Sequence, residues 1–431
     1  MVDDDDEAPA PIPQPATTGP RRMTMIVLLT AFSSINYSTR GALPQVMMSV
    51  AGELSLTTAQ QATLLSAFYP VYVALMIPAG WLVRTWGPKN SVTLDLALHA
   101  VALLAFPAAG KAAGMAGMVA CLGLLGASQT PIFPVLNTMK RDWLPTGPSR
   151  AVALQVMRVG GSTMSILFRW VVPRLTHRWG WQSVPWLLGG VSAGMGLIWH
   201  ALAASRPTEA SASTPPKETF NWSVLRQRVV LACIGLHCTT NNITYSVLQW
   251  SPTIYANLGC TPLQAGTYLA VPGMFGFCVN WVVAAVETKL MLMGVKDKAV
   301  RRWAALAACT WQAVSVTLFG LADTALKACI ANCSVVLGGA FVGSMTYAQS
   351  YYEIGGSDTA LITSVANVPA NTPGFIAASV GTMLLNRTGS LVPLFAAVGV
   401  LQFLGGLFYG SSVETTTVQE LMAAAAAKKG A

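Results

Sequence analysis

Residues 23–50 read MTMIVLLTAFSSINYSTRGALPQVMMSV, an apolar segment that contains a single charged residue, Arg40. A helix crosses the hydrocarbon core of a bilayer with about 20 mostly apolar residues, so this segment is long enough to span a membrane. The whole chain of 431 residues has the same character, with 53% hydrophobic and 10% charged residues and a mean hydropathy of +0.52. Soluble domains carry about 25% charged residues. The sequence therefore predicts a polytopic membrane protein.

Apolar segments of this length recur along the chain and give twelve candidate spans. They cover residues 23–50, 59–83, 91–109, 114–139, 151–175, 184–204, 229–255, 263–286, 303–321, 326–352, 360–385 and 391–409. The longest polar break between them lies after the sixth span. We expect an all-α membrane protein of twelve transmembrane helices in two six-helix bundles. Its predicted parts are a disordered tail at 1–22, bundles at 23–204 and 229–411, a linker at 205–228 and a second tail at 412–431.

The basic residues indicate the orientation of these spans. With both termini on one side, 18 of the Lys and Arg residues fall on that side and 5 on the other. Short cytosolic loops carry an excess of Lys and Arg, so we expect both termini, the linker and both tails to lie in the cytosol. The formal charge of +9 is spread over short loops, which disfavours a nucleic-acid partner. Residues 1–18 do not resemble a transit peptide, which favours the plasma membrane or an endomembrane.

The sequence offers little for a resident cofactor. Eight cysteines stand singly in apolar segments, without a CxxC pair or paired His spacing, so zinc, haem and disulfide frameworks have little support. No Gly-x-x-x-x-Gly-Lys loop is visible, which disfavours ATP-driven transport. We expect a monomer that is not an enzyme, with sodium or a proton as the only candidate bound ion besides the substrate.

The first span also carries a family signature. INYSTR at 35–40 and MMSVA at 47–51 resemble the first-helix motif of the anion:cation symporter branch of the major facilitator superfamily. SAFYPVY at 66–72, IPAG at 77–80 and WSPTIY at 250–255 continue the resemblance into both halves. The branch contains vesicular glutamate, sialic acid, sodium-phosphate and plastid phosphate transporters. The resemblance implies the major facilitator fold and a cation-coupled secondary transporter of inorganic phosphate or a small organic anion, working by alternating access between its halves.

Several positions depart from the family pattern. Arg84 stands where the loop between spans two and three usually carries Asp, which puts the charge relay of that loop in doubt. Leu122 and Gln129 stand where many members carry Arg and Glu in the fourth span, and Thr240 replaces a basic residue of the glutamate transporters. The changes at Arg84, Leu122 and Gln129 motivate a second hypothesis, that the chain is a transporter-like sensor or assembly partner that no longer transports.

Arg40 is the main candidate for substrate binding. A guanidinium inside the membrane costs at least about 2.5–3.5 kcal/mol, so it must face a partner or a wet cavity. The partner is either a substrate anion or a protein carboxylate in a structural pair. Tyr72, Gln129, Tyr245 and Asn367 match polar pocket positions of the family, and each is otherwise an interhelical hydrogen bond.

Two further arginines lie in the fifth span. Arg158 is a candidate for the cytosolic gate, although snorkelling to the membrane interface is the favoured expectation for it. Arg169 lies deeper in the span and is a candidate for substrate binding along the anion path, with snorkelling as an equally weighted alternative.

Four acidic or imidazole side chains are candidates for ion coupling or gating. Asp95 and His99 stand four apart in the third span and share a helix face, so together they could hold an ion or a proton. The favoured alternative is a satisfied polar pair near the interface, or Asp95 paired with Arg84 or Lys89. Glu287 and Glu353 are expected to make gate or loop contacts on the cytosolic side.

Overall fold

The computed structural model describes residues 19–144, 148–205 and 220–430, and these residues contain helices but no strand. The predicted disorder of residues 1–18 and most of the predicted linker, 206–219, lie outside the described residues. Helix begins at Gly19, inside the predicted first tail, and the predicted second tail contains a helix from Val418 to Gly430.

The first bundle contains eight helical pieces, α1 to α8, which make six spans. Their bounds are α1 Gly19–Glu53, α2 Thr58–Ser66, α3 Phe68–Ala74, α4 Met76–Trp86, α5 Pro88–Ser128, α6 Ile132–Trp143, α7 Pro148–Trp179 and α8 Ser183–Leu202. The second span consists of α2, α3 and α4. Spans three and four consist of α5 and α6, because the chain reverses inside α5 at Gly114, which has φ 56° and ψ −138°.

The second bundle follows a short 3-10 turn at Trp222–Arg226. Its helices are α9 Arg228–Asn257, α10 Pro262–Leu292, α11 Asp297–Gly320, α12 Ala325–Met345, α13 Tyr347–Ile354, α14 Thr359–Asn371, α15 Pro373–Thr388 and α16 Val392–Ser412, and α17 Val418–Gly430 comes last. The pieces α12 and α13 form one span, and α14 and α15 form another. We call the end of the bundles where α1 begins and α16 ends the tail face.

Hydropathy and length alone identify fewer spans than the fold contains. Within the described residues, five helical segments are long and apolar enough to cross a membrane by these criteria. They are Pro88–Trp143, Gln264–Leu292, Asp297–Gly320, Ala325–Ile354 and Val392–Ser412. The first of these holds two of the predicted spans. Other spans are more polar, as in α1, where Asn36, Ser38 and Thr39 are buried against neighbouring helices.

Prolines explain where the broken spans break. Proline has no backbone N–H and its ring clashes with the preceding turn, so a helix is interrupted just before it. Pro70 and Pro78 lie three residues after the breaks at Ala67 and Leu75. In the fourth span, Pro134 lies in the same way three residues after the cap of α6. In-span prolines therefore coincide with helix breaks at these positions.

The two bundles meet where α14 packs against α4 and α6, and where α10 packs against α7. The crossing of α4 and α14 is so close that a Cβ atom on Gly80 would lie 2.5 Å from the Ser364 hydroxyl. A glycine is therefore required at this crossing. The close approach brings the end of α4 next to the start of α14 at the tail face.

Candidate substrate site and gate

Arg40 lies on α1 inside a cage of aromatic rings. Its guanidinium carbon is 4.8 Å from the ring centre of Tyr72, 5.2 Å from that of Phe68 and 5.8 Å from that of Tyr37. Aromatic faces attract a cation within about 6 Å and do so without neutralising it. Arg40 forms no ion pair with any described carboxylate. The described residues therefore do not support the alternative that Arg40 forms a structural ion pair with a protein carboxylate.

Gln129 holds the guanidinium from the side of the fourth span. The residue caps the end of α5, where the turn before α6 aims its fully buried side chain at α1. Arg40 Nε donates a hydrogen bond to Gln129 Oε1 at 2.5 Å. Arginine has only donors, so this bond fixes which end of the amide faces it.

Two donors remain unpaired beside this bond. Arg40 Nη2 and Gln129 Nε2 are both buried and have no hydrogen-bond partner among the described residues. A buried donor without a partner costs about 1–3 kcal/mol, and more when it is charged. Both donors need a hydrogen-bond acceptor, and a carboxylate or phosphate has enough oxygens to accept from both.

A chain of polar side chains continues the site across both bundles. Asn367 on α14 donates to the Tyr72 hydroxyl on α3 at 3.3 Å. Asn371 donates to Asn367 Oδ1 at 2.9 Å, and the Tyr245 hydroxyl on α9 donates to Asn371 Oδ1 at 2.7 Å. The structure therefore brings Tyr72, Gln129, Tyr245 and Asn367 together around Arg40, whereas the side chain of Arg169 lies outside the described part of α7.

Sequence reasoning missed two groups of this site. Asn371 lies four residues after Asn367, so helical spacing alone places it on the same face and could have identified it. The aromatic cage residues Tyr37 and Phe68 stood inside the family-like motifs, yet nothing in the sequence showed that the Phe68 ring on α3 lies over the Arg40 guanidinium on α1.

Asp95 and His99 are buried on α5, and the favoured alternative for them is wrong. Neither Asp95 oxygen has a hydrogen-bond partner among the described residues, so the pair is not satisfied. Asp95 lies two turns inside α5, which begins at Pro88, and Arg84 pairs with Asp358 instead, at 3.0 Å. The nearest imidazole atom, His99 Nδ1, is 3.9 Å from Asp95 Oδ1.

A charged cluster joins the bundles at the tail face. This gate cluster consists of Arg150 on α7 together with Glu287, Arg301, Gln349 and Glu353 of the second bundle. Arg301 is fully buried and donates to Glu353 Oε1 at 2.8 Å, and Gln349 donates to Glu287 Oε1 at 2.6 Å. Arg150 donates to the same oxygen of Glu353. Glu287 and Glu353 thus make contacts in the interior of the protein rather than in a loop.

Three more arginines of the first bundle contact the second at this face. Arg84 pairs with Asp358, Arg141 donates to the backbone carbonyl of Gly356, and Arg158 Nη2 donates to the carbonyl of Gly343 at 3.0 Å. The favoured expectation that Arg158 snorkels to the interface is wrong, because its guanidinium crosses to α12. Arg84 thus makes an ion pair between the bundles, in which the first bundle supplies the cation and Asp358, just before α14, supplies the carboxylate.

The Arg84–Asp358 ion pair yields a prediction. Its side chains are mostly buried, at 17% and 9% exposure. We expect Arg84→Asp and Asp358→Arg each to lower the thermal unfolding midpoint in detergent, and the double variant to recover most of the loss. The coupling energy from this cycle should be about 0.5–3 kcal/mol. Additive losses would contradict the pairing. The exposed pair of Lys298 and Glu414 is the control, with an expected coupling below about 1 kcal/mol.

Curated relatives of the chain are transporters. The probable galactarate/D-glucarate transporter GarP of Escherichia coli K12 is 24% identical over 290 residues, which cover 59% of this chain and 64% of GarP, slightly under two thirds of its length. The probable galactarate/D-glucarate transporter GudP of Bacillus subtilis is 24% identical over 411 residues, covering 88% and 89%. The chloroplastic sodium-dependent phosphate transport protein 1 of Arabidopsis thaliana is 25% identical over 254 residues, covering 55% and 49%. The predicted resemblance to an anion-transporter branch is confirmed.

Solved structures share the fold. The Escherichia coli fucose:proton symporter FucP superposes with a TM-score of 0.72 at 16% identity, covering 91% of this chain and 98% of its own. The proton:xylose symporter XylE superposes with a TM-score of 0.74 at 11% identity, covering 94% and 98%. These matches confirm the predicted fold of twelve helices in two bundles.

The family profile gives the assignment directly. The profile of the Major Facilitator Superfamily matches residues 25–371, which include the first bundle and most of the second. Its members are membrane transporters rather than enzymes, as the sequence predicted. The chain belongs to the Major Facilitator Superfamily.

Proposed function

We propose that this protein is a secondary active transporter of a small organic anion, which binds between the two bundles at Arg40 and Gln129. The observation that carries the proposal is that Arg40 Nη2 and Gln129 Nε2, buried donors of two side chains that hydrogen-bond to each other, have no acceptor among the described residues. Arginine binds a carboxylate through a planar fork of donors, a geometry that lysine does not reproduce. A bound anion would satisfy both donors and neutralise the caged cation.

The lining supports a hydroxylated organic acid over inorganic phosphate. The chain from Tyr72 through Asn367 and Asn371 to Tyr245 offers uncharged donors and acceptors on α3, α14 and α9. Such groups suit the hydroxyls of a sugar acid whose carboxylate lies at Arg40. These polar groups extend over three helices, farther from Arg40 than a phosphate ion bound there would reach. Relatives named as galactarate/D-glucarate transporters agree with this substrate class.

Alternating access would proceed by opening and closing the gate cluster. The arginines of α7 and α4 bind acidic and carbonyl groups of the second bundle, so the tail face is closed by contacts that must break when the bundles rock. The excess of Lys and Arg on the tail side supports a cytosolic tail face with both termini inside. We propose that the protein works as a monomer in the plasma membrane or an endomembrane.

The departures from the family pattern do not favour the non-transporting alternative. Arg84 has an acidic partner in Asp358, and Gln129 binds Arg40 directly. Leu122 packs in the apolar core of the first bundle, where a charge would have no place. Each of these three positions therefore has contacts consistent with transport.

Solute counterflow in proteoliposomes tests the proposal. Vesicles would be preloaded with unlabelled D-glucarate, galactarate, inorganic phosphate, glutamate or galactitol, and entry of labelled D-glucarate would be followed. We expect D-glucarate and galactarate to drive accumulation, phosphate and glutamate to do so weakly, and galactitol, an uncharged polyol, not to do so. Equal accumulation with galactitol would contradict recognition of charge. Binding of D-glucarate without counterflow would favour the sensor alternative.

A further inference from the structure

A buried pair on α5 has the geometry of a proton site. Asp95 and His99 are fully buried one turn apart, with Asp95 Oδ1 and His99 Nδ1 at 3.9 Å. Both Asp95 oxygens and His99 Nδ1 lack hydrogen-bond partners among the described residues. A buried, unpaired carboxylate is among the most expensive groups to keep ionised in an apolar setting.

Thr39 fixes which imidazole nitrogen carries hydrogen. Its hydroxyl has one hydrogen and donates it to the Ile35 carbonyl at 2.9 Å. The Thr39 oxygen therefore accepts from His99 Nε2, which lies 3.0 Å away. In the neutral ring the lone pair is then on Nδ1, on the side of Asp95. The carboxylate and this lone pair are two acceptors that face each other 3.9 Å apart, and a proton on either one turns it into a donor toward the other.

A metal cation fits this place less well than a proton. Sodium requires several oxygen ligands, whereas this site offers one carboxylate and an imidazole nitrogen. Around it Val92 and Leu96 belong to the apolar core. Within the described residues no cluster of three or more His, Cys, Asp or Glu side chains is suited to a metal ion.

Arg40 on α1 is the charged group that interacts electrostatically with both Asp95 and His99. Other titratable side chains on the helices packed against α5 are Tyr69 and Tyr72 on α3, Arg84 on α4, Lys140, Arg141 and Asp142 on α6, and His200 on α8. None of them hydrogen-bonds to Asp95, whose oxygens have no described partner. The stretch of α8 beside the pair, residues 192–197, contains no titratable residue.

We propose that Asp95 and His99 bind the coupling proton of the transport cycle, and that Arg40 links this proton to the substrate anion. The inference rests on the proposed function at Arg40. One proton binds to Asp95 or His99 and leaves again in each cycle, and no bond other than this O–H or N–H bond forms or breaks. Thr39, the neighbour of Arg40 in α1, connects the pair to the substrate site through its hydrogen bond with His99.

The coupling follows from charge. While Arg40 is unneutralised, its positive field favours ionised Asp95 and opposes proton binding. An anion at Arg40 cancels that field, so the proton binds more readily, and by linkage the proton raises anion affinity equally. Anion affinity is therefore expected to rise as pH falls, by about 5- to 150-fold across the transition. Anion and proton would move in the same direction, as in a symporter.

Proton uptake on anion binding tests this inference. The purified full-length protein would be mixed with D-glucarate in weakly buffered detergent solution that contains a pH-indicator dye. The pH would be one at which Asp95 is ionised in the protein without bound anion. We expect the wild-type protein to take up about one proton for each anion bound. Asp95→Asn should bind D-glucarate with no proton uptake and no dependence of affinity on pH, and His99→Gln should show reduced uptake. Asp323→Asn, in an exposed pair with Lys327, is the matched control and should behave as wild type.

The outcomes separate the two proposals. If the wild-type protein binds neither D-glucarate nor inorganic phosphate, the proposed function fails. If it binds D-glucarate without proton uptake, the proton site is wrong and the anion site stands. Undiminished proton uptake by folded Asp95→Asn or by His99→Gln would also overturn the assignment, so the test does not depend on one variant.

Discussion

Replacing Arg40 with alanine is expected to weaken D-glucarate binding by roughly 30- to 4,000-fold, or about 2–5 kcal/mol. The variant removes the only described cation of the site and leaves Gln129 without its partner. Arg40→Lys should recover part of this loss, because it keeps the charge but cannot bind Gln129 and present a second donor in one plane. The dissociation constant of the purified protein, measured by calorimetry, gives both values.

A matched control shows whether this effect belongs to the site. Arg387 is an exposed arginine near the end of α15, and Arg387→Ala removes the same charge from the chain. We expect its D-glucarate affinity to equal that of wild type. Affinity that is unchanged in Arg40→Ala would show that the caged guanidinium is structural.

The sequence predicted the helices and the central cation for simple reasons. Apolar runs of span length force helices in a bilayer, because backbone groups have no water to bind there. Arg40 stood out because a charged side chain inside such an apolar segment is costly unless it faces a partner or a water-filled cavity. The helix breaks at Ala67 and Leu75 are also explained by sequence, since each lies three residues before a proline.

The cross-bundle contacts were not predictable in this way. Arg84 and Asp358 lie far apart in the sequence, and their pairing depends on the close crossing of α4 and α14 at Gly80. The same holds for Asp95. Its oxygens have no hydrogen-bond partner among the described residues, because the neighbouring helices place no donor within reach. Whether a buried group finds a hydrogen-bond partner depends on how the helices pack, and a hydropathy pattern does not predict it.

Replacing Glu353 with glutamine is expected to open the tail face. Glu353 binds Arg150 of the first bundle and Arg301 of the second at once. Loss of its charge therefore removes the carboxylate that Arg150 and Arg301 share across the interface and leaves Arg301 with Glu287 alone, at 3.7 Å. Breaking a buried ion pair in this way costs about 3–5 kcal/mol. Since the cost falls on the closed state, the equilibrium should move toward the state in which the bundles separate at this face.

Cysteine accessibility measures that opening. Ser344 is buried at the tail-side interface, where its hydroxyl accepts from Gln155 of α7 at 3.2 Å. In a background without native cysteines, Ser344→Cys should react with a water-soluble maleimide at least about tenfold faster when Glu353→Gln is present. The control is Glu414→Gln, which breaks an exposed pair within the second bundle and should leave the rate unchanged. An unchanged rate in folded Glu353→Gln protein that still binds D-glucarate would show that the gate cluster does not hold this face closed.

The central claim is that a substrate anion completes the hydrogen bonding of Arg40 and Gln129. An experimental structure of the protein with bound D-glucarate tests it most directly. The account predicts one carboxylate within hydrogen-bond distance of Arg40 Nη2 and Gln129 Nε2, with substrate hydroxyls directed toward Tyr72 and Asn367. D-glucarate bound away from Arg40, or Arg40 paired with a carboxylate of the protein while the anion is bound elsewhere, would contradict it.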